Sequence, residues 1–322
     1  FSPSGYTQAI KGDYAKRVMY LPLDIHGDVC SFYEKYKPQK SILVRYDFWY
    51  NLIMEGQKRD VDFYLVNGRF KKDHFIFRWY GKAYLKCIKN FKGVFTSDEQ
   101  SARELTQGGI EARFTGDTRF DRVNAIAHRA KKYREIEDFK GSRKLLMVGS
   151  SWEDEESLVV ELLKQNPANL AIVIAPHDLK RVSSIVEKFQ DFEVQKYSDG
   201  DFTAEHKVLI LDTMGMLSAM YQYADFALIG GGFRGALHNI LEPAVWGCHI
   251  SFGPNTTKFP EATTFADAGF ATPISNAEHW IKQIMDLLEN EQKLSKIKEK
   301  SKTFAKENIG STERILMEIR KQ

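Results

Sequence analysis

Short apolar runs alternate with amphipathic segments along the whole chain, and this alternation restricts the fold more than any other feature of the sequence. Strands that alternate with helices pair in parallel, because each helix carries the chain back across the sheet between two strands. The pattern therefore predicts an α/β fold. The runs with strand character fall into two groups of five, at 18–21, 41–45, 63–66, 93–96 and 112–115, and then at 144–149, 170–175, 208–211, 226–229 and 249–252.

Two groups of strands indicate two domains, and a chain of 322 residues is long enough to build two hydrophobic cores. We predict two Rossmann-like doubly wound domains, over residues 1–125 and 126–322, with the polar stretch 125–140 between the two groups of strands. Doubly wound sheets bind ligands at the carboxyl ends of their strands. We therefore expect the ligand in a cleft where the two domains face each other.

Composition and cysteine usage argue against several classes of function. The net charge of +3 does not indicate general nucleic-acid binding, and we predict no nucleic-acid partner. No apolar run reaches the roughly 20 residues that a membrane-spanning helix needs. The three cysteines, Cys30, Cys87 and Cys248, form no CxxC motif and show no histidine partners at the usual spacing of metal ligands. The sequence therefore predicts neither a bound metal ion nor a cofactor.

A predicted strand at 226–229 runs into three glycines at 230–232, and a helix follows that carries Asn239, Glu242 and Pro243. Proline is tolerated in the first turn of a helix, so this helix begins close to Asn239. The free N–H groups and the positive dipole end of such a helix form an anion site. Glu242 can accept hydrogen bonds from vicinal hydroxyls, as on a ribose. The pattern predicts a nucleotide or nucleotide-sugar site, and the alternative is that the glycines only allow a tight turn.

The other strands of the second group also end in polar or small residues that could face the same ligand. We predict ligand contacts from Ser150, Ser151, Pro176, His177, Thr213, Met214, Gly215, Gly231, Gly232, Asn239 and Glu242. Some of these could instead only cap helices, as Asp212 and Thr213 could for a helix over 215–224. A lone histidine at a strand end could equally be structural or simply exposed. We expect the acidic run 153–156 to be solvated.

The segment 70–95 is rich in lysine, arginine and aromatic residues and contains a single acid, Asp73. Cations with interleaved aromatic residues are typical of a segment that lies on an anionic membrane surface. We predict membrane contacts from Arg78, Lys82, Lys86 and Lys89. The alternatives are an ordinary amphipathic helix with a solvated basic face, or RNA binding.

Several blocks together resemble one family, the bacterial 3-deoxy-D-manno-octulosonic acid (Kdo) transferases of lipid A biosynthesis, glycosyltransferase family 30. The blocks are LDTMGMLSAMYQYADFALIGGGF (211–233), HNILEPA (238–244) and SFGPNTTKFPE (251–261), with SPSG (2–5), YLPLD (20–24), YDFWYNLI (46–53), NGRF (67–70), FTGDTRFD (114–121) and GSSWEDEE (149–156) upstream in the family's order. The resemblance implies a GT-B fold and inverting, metal-independent transfer of Kdo from the donor CMP-Kdo to a lipid A precursor.

The resemblance also implies where the substrates bind. The ligand residues named above would contact the donor on the second domain. Acceptor contacts would come from Ser4, Gly5, Arg69 and Arg119 on the first domain, since cations suit the phosphates of a lipid A precursor. The enzyme would work at the cytoplasmic face of the bacterial inner membrane.

The chain departs from the family pattern at several places. The family's catalytic glutamate belongs to an SxGE-type motif, which we expect upstream of Phe1 together with a membrane anchor, so the first domain is expected to be incomplete. The chain has Pro176, His177 and Asp178 where the family commonly has Pro-Arg-His, and Met216 where it usually has Glu. Two other hypotheses therefore stay open. One is another GT-B transferase or a UDP-sugar epimerase, and the other is a non-catalytic module that binds nucleotide sugars or anionic lipid.

Overall fold

The computed structural model describes residues 3–12, 15–200 and 202–321, without the side chains of Pro3, Ser4 and Gln8. The chain divides into two compact units, Phe1–Thr118 with Gly310–Gln322, and Arg119–Ile309. The boundary lies seven residues before the predicted one, and the carboxyl-terminal residues join the first unit rather than the second. Among the described residues, no helix is both long and apolar enough to cross a bilayer.

The first unit contains a four-stranded parallel sheet with the strand order β1-β2-β3-β4. The strands are β1 (Lys40–Val44), β2 (Asp62–Gly68), β3 (Gly93–Thr96) and β4 (Arg113–Phe114). The helices before and between them are α1 (Pro3–Lys11), α2 (His26–Tyr36), α3 (Tyr50–Gln57), α4 (Lys82–Lys89) and α5 (Glu99–Gln107). Four of the five predicted strands are confirmed.

The predicted strand at 18–21 is wrong, because the described residues 15–25 form neither a strand nor a helix. The side chains of Met19, Tyr20 and Leu21 stay exposed, so this apolar run contributes nothing to the core. An apolar run of strand length predicts burial, and here no layer of the described structure covers it.

The second unit contains a seven-stranded parallel sheet with the strand order β11-β10-β9-β5-β6-β8-β7. Its strands are β5 (Lys144–Ser151), β6 (Leu170–Pro176), β7 (Val194–Lys196), β8 (Val208–Ile210), β9 (Phe226–Ile229), β10 (His249–Phe252) and β11 (Ala271–Pro273). All five strands predicted for this group are present. Sequence reasoning missed β7 and β11, because these short edge strands, VQK and ATP, form no continuous apolar run.

Helices flank this sheet, and one more returns to the first unit. They are α6 (Thr118–His128), α7 (Arg134–Lys140), α8 (Glu153–Lys164), α9 (Val182–Lys188), α10 (Leu217–Met220), α11 (Leu241–Trp246), α12 (Pro260–Asp267), α13 (Ala277–Glu289), α14 (Glu291–Glu307) and α15 (Ser311–Arg320). Ile315 and Ile319 of α15 pack against Tyr64 and Phe95 of the first sheet. This contact explains why the chain's last helix belongs to the first unit.

The central strands of the second sheet are buried on both faces. Leu145 and Met147 of β5 belong to one hydrophobic cluster, and Leu146 and Val148 belong to another. Two clusters on opposite faces of one parallel sheet confirm the doubly wound architecture. The chain moves from β5 to β6 on one side and returns to β9 on the other, so the strand order reverses at β5. Ligands of doubly wound proteins bind at the carboxyl ends of the strands beside such a reversal.

The three glycines after β9 allow the backbone to pack closely at this reversal. Gly230 donates a hydrogen bond to the Gly149 carbonyl at 2.9 Å, and a Cβ on Gly230 would lie 1.9 Å from the Ser150 carbonyl oxygen. Gly231 has a φ of 84°, which favours glycine. A Cβ on Gly232 would lie 2.5 Å from the Gly253 nitrogen. Tight packing therefore accounts for the conformation of these glycines.

Gly230→Ala should destabilise the protein, because the new methyl group meets backbone that cannot move without displacing the end of β5. We expect the free energy of unfolding to fall by about 3 kcal/mol, the upper end of the usual cost of overpacking. The control is Gly27→Ala in α2, where a Cβ has no atom within 4 Å. This control should be neutral or stabilising by up to about 1 kcal/mol. Equal unfolding midpoints for the two variants in denaturant would contradict the packing argument.

Candidate nucleotide site

The predicted ligand residues of the second unit lie at the carboxyl edge of its sheet. β5 ends at Ser151, β6 ends at Pro176, and β9 leads into Gly230. The His177 N–H donates to the Ser151 carbonyl at 3.1 Å, so the ends of β5 and β6 stay paired beyond the strands themselves. Ser150 has a φ of 53°, in the left-handed region, where β5 turns towards α8.

Glu242 is held in place by two neighbouring side chains. Ser218 donates to one of its carboxylate oxygens at 2.8 Å, and Asn239 donates to the other at 2.9 Å. Asn239 also accepts a hydrogen bond from the Leu241 N–H at 3.0 Å, which covers the start of α11. The prediction that a helix begins here with Pro243 in its first turn is confirmed. Each carboxylate oxygen keeps a further lone pair for a ligand hydroxyl.

A cluster of rings lies at the same sheet edge. The Trp152 and His177 rings stack with centroids 4.3 Å apart, and the His177 and His238 rings are 4.8 Å apart. The Arg234 guanidinium lies 4.9 Å from the centre of the Trp152 ring. Burial, and then the neighbouring His177, lower the pKa of His238, so this ring is neutral at pH 7. The cluster offers flat surfaces and ring nitrogens to a ligand.

Two buried glutamates, Glu155 and Glu156, hold the backbone at this sheet edge in place. The acidic run 153–156 was expected to be solvated. Glu155 accepts from the N–H groups of Trp152 and Gly231, both at 3.0 Å. Burial raises the pKa of Glu155, and the backbone donors oppose that shift. The expectation is wrong for Glu155 and Glu156, which are both fully buried.

Glu156 binds Arg181 through two hydrogen bonds of 2.9 and 2.8 Å and accepts a third from the Ser151 hydroxyl at 3.0 Å. The Ser151 hydroxyl and the Gly231 N–H therefore already have partners within the protein. The structure gives both groups a structural role, whereas the sequence offered them as ligand contacts.

The loop before α10 differs from its prediction. The predicted helix over 215–224 is only the four-residue α10 with a single 3₁₀ turn after it. Asp212 does not cap α10, because it accepts hydrogen bonds from the Ser198 N–H and hydroxyl at 3.0 and 2.5 Å. The Thr213 hydroxyl lies 2.9 Å from the Met216 sulfur, and Met214 is 78% exposed. Gly215 has a φ of 87° and open space around it.

Comparison with known proteins shows which proteins this chain resembles. The family described as 3-deoxy-D-manno-octulosonic-acid transferase (kdotransferase) matches residues 1–122. The 3-deoxy-D-manno-octulosonic acid transferase of Rickettsia prowazekii is 26% identical over 305 residues, which cover 90% of this chain and 65% of that protein. The Haemophilus influenzae transferase of the same description is 24% identical and covers 98% of this chain and 77% of its own. The chain is therefore similar to Kdo transferases over most of its length.

A further relative differs in its own domain content. A bifunctional glycosyltransferase/methyltransferase of Fusobacterium nucleatum is 27% identical over 316 residues, which cover 91% of this chain and 48% of that protein. Our chain therefore spans between about half and two thirds of the length of the Fusobacterium and R. prowazekii proteins.

Solved structures establish the fold as GT-B. MurG of Acinetobacter baumannii superposes with a TM-score of 0.60 at 14% identity and covers 98% of this chain and 87% of its own. An enzyme from Listeria monocytogenes, described as a UDP-N-acetylglucosamine 2-epimerase, gives a TM-score of 0.62 at 14% identity. The match covers 92% of this chain and 77% of that one.

The acceptor residues implied by the Kdo transferase resemblance lie on different elements of the chain. Arg119 lies in the first turn of α6 and binds Glu261 at 2.8 Å, within the second unit, so its predicted place in the first domain is wrong. Arg69 belongs to the first unit, where its Nε lies 3.5 Å from a carboxylate oxygen of Asp98. Gly5 lies in α1. The side chain of Ser4 is outside the described residues.

Sequence reasoning missed several residues at this edge of the second sheet. Ser218 orients Glu242, and His238, Trp152 and Arg234 form the ring cluster. His238 could have been found, because it directly precedes Asn239 in the block HNILEPA. No local pattern indicates Ser218, since its partner lies 24 positions away.

Arg181→Met should strongly destabilise the second unit, because the buried Glu156 loses both hydrogen bonds to its guanidinium partner, which leaves Lys188 at 4.0 Å as its countercharge. Removing one partner of a buried ion pair costs about 3–5 kcal/mol. The matched control is Arg234→Met, whose partners Asp154 and Glu153 are exposed. Exposed ion pairs contribute about 1 kcal/mol or less. Chemical denaturation of both variants checks this difference, and similar losses would refute the structural role of Glu156.

Proposed function

We propose that this protein is a glycosyltransferase that moves Kdo from CMP-Kdo to a lipid A precursor in lipopolysaccharide biosynthesis, with inversion and without a metal ion. The observation that carries the proposal is Glu242, fixed by Ser218 and Asn239 at the sheet edge where doubly wound proteins bind nucleotides. The similarity to Kdo transferases supports the choice of donor and acceptor.

In the proposed complex, Glu242 accepts hydrogen bonds from the two ribose hydroxyls of CMP. Its orientation by two donors before the ligand arrives reduces the entropy that binding must remove. His177 is exposed at the end of β6, and its ring nitrogens can contact the cytosine or the phosphate. Ser150, Thr213, Met214, Gly215 and Gly232 remain proposed donor contacts.

The proposed reaction is a direct displacement. An acceptor hydroxyl oxygen attacks the anomeric carbon of Kdo, its proton passes to a carboxylate base, and CMP leaves with the electrons of the broken bond. A general base typically contributes about 10²–10⁴-fold to the rate. Holding donor and acceptor in the reactive orientation supplies much of the remainder.

Glu242→Ala should weaken binding of CMP by about 1.5–3 kcal/mol, the usual scale for a hydrogen bond to a charged group. Ser218→Ala should weaken it by about 1 kcal/mol, because the carboxylate stays but loses one of its orienting donors. Glu278→Ala, which removes an exposed acid from the first turn of α13, is the matched control and should bind like the parent. Isothermal titration calorimetry with CMP and CMP-Kdo checks all three.

The same titrations separate the competing hypotheses. Preference for CMP over UDP supports the proposed donor, whereas preference for UDP would favour a UDP-sugar enzyme. Binding of CMP with undiminished affinity by a folded Glu242→Ala variant would eliminate the ribose contact. A Kdo transfer assay on the full-length protein then distinguishes an enzyme from a non-catalytic binding module.

We propose further that the first unit lies on an anionic membrane surface, at the cytoplasmic face of the inner membrane. Lys82, Lys86 and Lys89 are exposed on α4 at spacings of four and three, which places them on one face of the helix. Trp79 and Tyr80, just before this helix, are 81% and 60% exposed. Large exposed aromatic residues beside cations are typical of an interfacial segment.

Residues of the same basic segment, 70–95, also line a cavity that supports this proposal. Lys71, Lys72, Asp73 and Arg78 line an open cavity of about 490 Å³, with three cations against one acid. Such a lining suits the phosphate of an anionic lipid headgroup. The membrane would then present the lipid-linked acceptor to the first unit.

Replacing Lys82, Lys86 and Lys89 with glutamine should weaken binding to vesicles that contain anionic lipid by up to about 3 kcal/mol, at about 1 kcal/mol per charge. The control replaces three exposed lysines of the second unit, Lys296, Lys300 and Lys306, and changes the net charge equally. The difference between the two triple variants should shrink as salt rises, because exposed charges are screened.

Vesicle co-sedimentation at low salt measures this difference, and CMP binding should be unchanged in both variants. Equal vesicle binding by the two triple variants would show that the face of α4 is simply solvated. Loss of RNA binding without loss of vesicle binding would identify the partner as RNA.

A further inference from the structure

Three potential metal ligands from two helices of the first unit converge on one point. His26 and Cys30 lie one helical turn apart on α2, and Glu55 lies on α3. The Cys30 sulfur is 3.9 Å from the His26 Nδ1 and 3.7 Å from a carboxylate oxygen of Glu55. The His26 Nδ1 is 3.4 Å from the other oxygen of Glu55. The expectation that no cysteine has a suitably spaced histidine is therefore wrong for Cys30.

With one ligand atom from each residue, the three atoms lie within 4.8 Å of one another. Bonds of about 2.0 Å to nitrogen or oxygen and about 2.3 Å to sulfur hold the ligand atoms roughly 3.4–3.6 Å apart. The three side chains therefore need to move closer together by up to about 1 Å to bind one ion. A thiolate, an imidazole and a carboxylate together favour zinc over magnesium or calcium, which prefer oxygen ligands alone.

Glu55 already has two basic partners, which affect its charge and its capacity to bind a metal ion. Lys58 and Arg59 each donate to a different carboxylate oxygen at 2.5 Å. These hydrogen bonds, that from Lys58 first, lower the pKa of Glu55 to about 2, so the group is a carboxylate at neutral pH. Two carboxylate oxygens offer about four acceptor positions, and each oxygen retains a free one. The same two cations oppose an arriving cation.

We propose that His26, Cys30 and Glu55 form a zinc-class metal site, with one nitrogen, one sulfur and one oxygen ligand and a fourth position open to solvent. Bound metal links the start of α2 to the middle of α3. The Tyr33 hydroxyl, which donates to the Leu52 carbonyl at 2.7 Å, already joins these helices at another point. The site is separate from the candidate nucleotide site, and its role is to stabilise the first unit.

Titration of the reduced, chelator-treated full-length protein with Co²⁺ tests this site. The parent should develop a thiolate-to-cobalt charge-transfer absorption that saturates at one equivalent and disappears when Zn²⁺ is added. Cys30→Ser should abolish the band, and His26→Gln should weaken Co²⁺ binding by at least about tenfold. His279→Gln, which removes another exposed histidine, is the matched control and should bind Co²⁺ like the parent.

Lys58→Gln gives a result that a merely structural cluster would not. The Lys58 ammonium competes with the metal ion for Glu55. Removing this exposed cation should therefore tighten Co²⁺ binding by about two- to fivefold. Zn²⁺ should raise the melting temperature of the parent and of Lys58→Gln, but not that of Cys30→Ser.

The proposal is overturned if the folded parent shows no charge-transfer band, or if the band keeps its full intensity in Cys30→Ser. If Cys30→Ser does not fold, His26→Gln decides the outcome, since His26 is exposed, and unchanged Co²⁺ affinity in that variant also overturns it. None of these results depends on Kdo transfer.

Discussion

Two buried glutamates at the start of α8 hold the candidate nucleotide site together. Glu155 binds the Gly231 N–H after β9, and Glu156 binds both the Ser151 hydroxyl at the end of β5 and Arg181 beyond β6. Buried charges are costly, and replacing such groups with apolar ones often stabilises a protein. We infer that their value here is orientation, because they fix the ends of three strands at the edge where the ligand is proposed to bind.

Much of the fold could be predicted, because the long strands of the second sheet are buried on both faces. Continuous apolar runs such as 170–175 leave a clear signal, whereas β7 and β11 are short edge strands and leave none. The run at 18–21 has the composition of a strand but stays exposed. The composition of a segment shows only that it could be buried. Whether it is buried depends on which helices or strands pack against it.

The candidate site was predictable at Glu242 and less so elsewhere. Pro243 restricts where α11 begins, and this restriction acts within a few residues, so the sequence carries it. The hydrogen bonds of Ser151 and Gly231 join residues 5 and 76 positions apart. In a sequence, a hydroxyl or N–H at a strand end looks available to a ligand, because the sequence does not show which group binds it in the folded protein. Arg119 was misplaced for a related reason, since its partner Glu261 lies 142 positions along the chain.

The return of α15 to the first sheet has a consequence for the order of folding during synthesis. Residues 119–309 are contiguous and contain every strand of the second sheet, so this unit can close before the ribosome has made α15. The first unit emerges earlier, but its residues Tyr64 and Phe95 are covered only after α15 has been made. Of the two units, the one translated earlier is therefore completed later, and this part of its apolar sheet face stays uncovered during that interval.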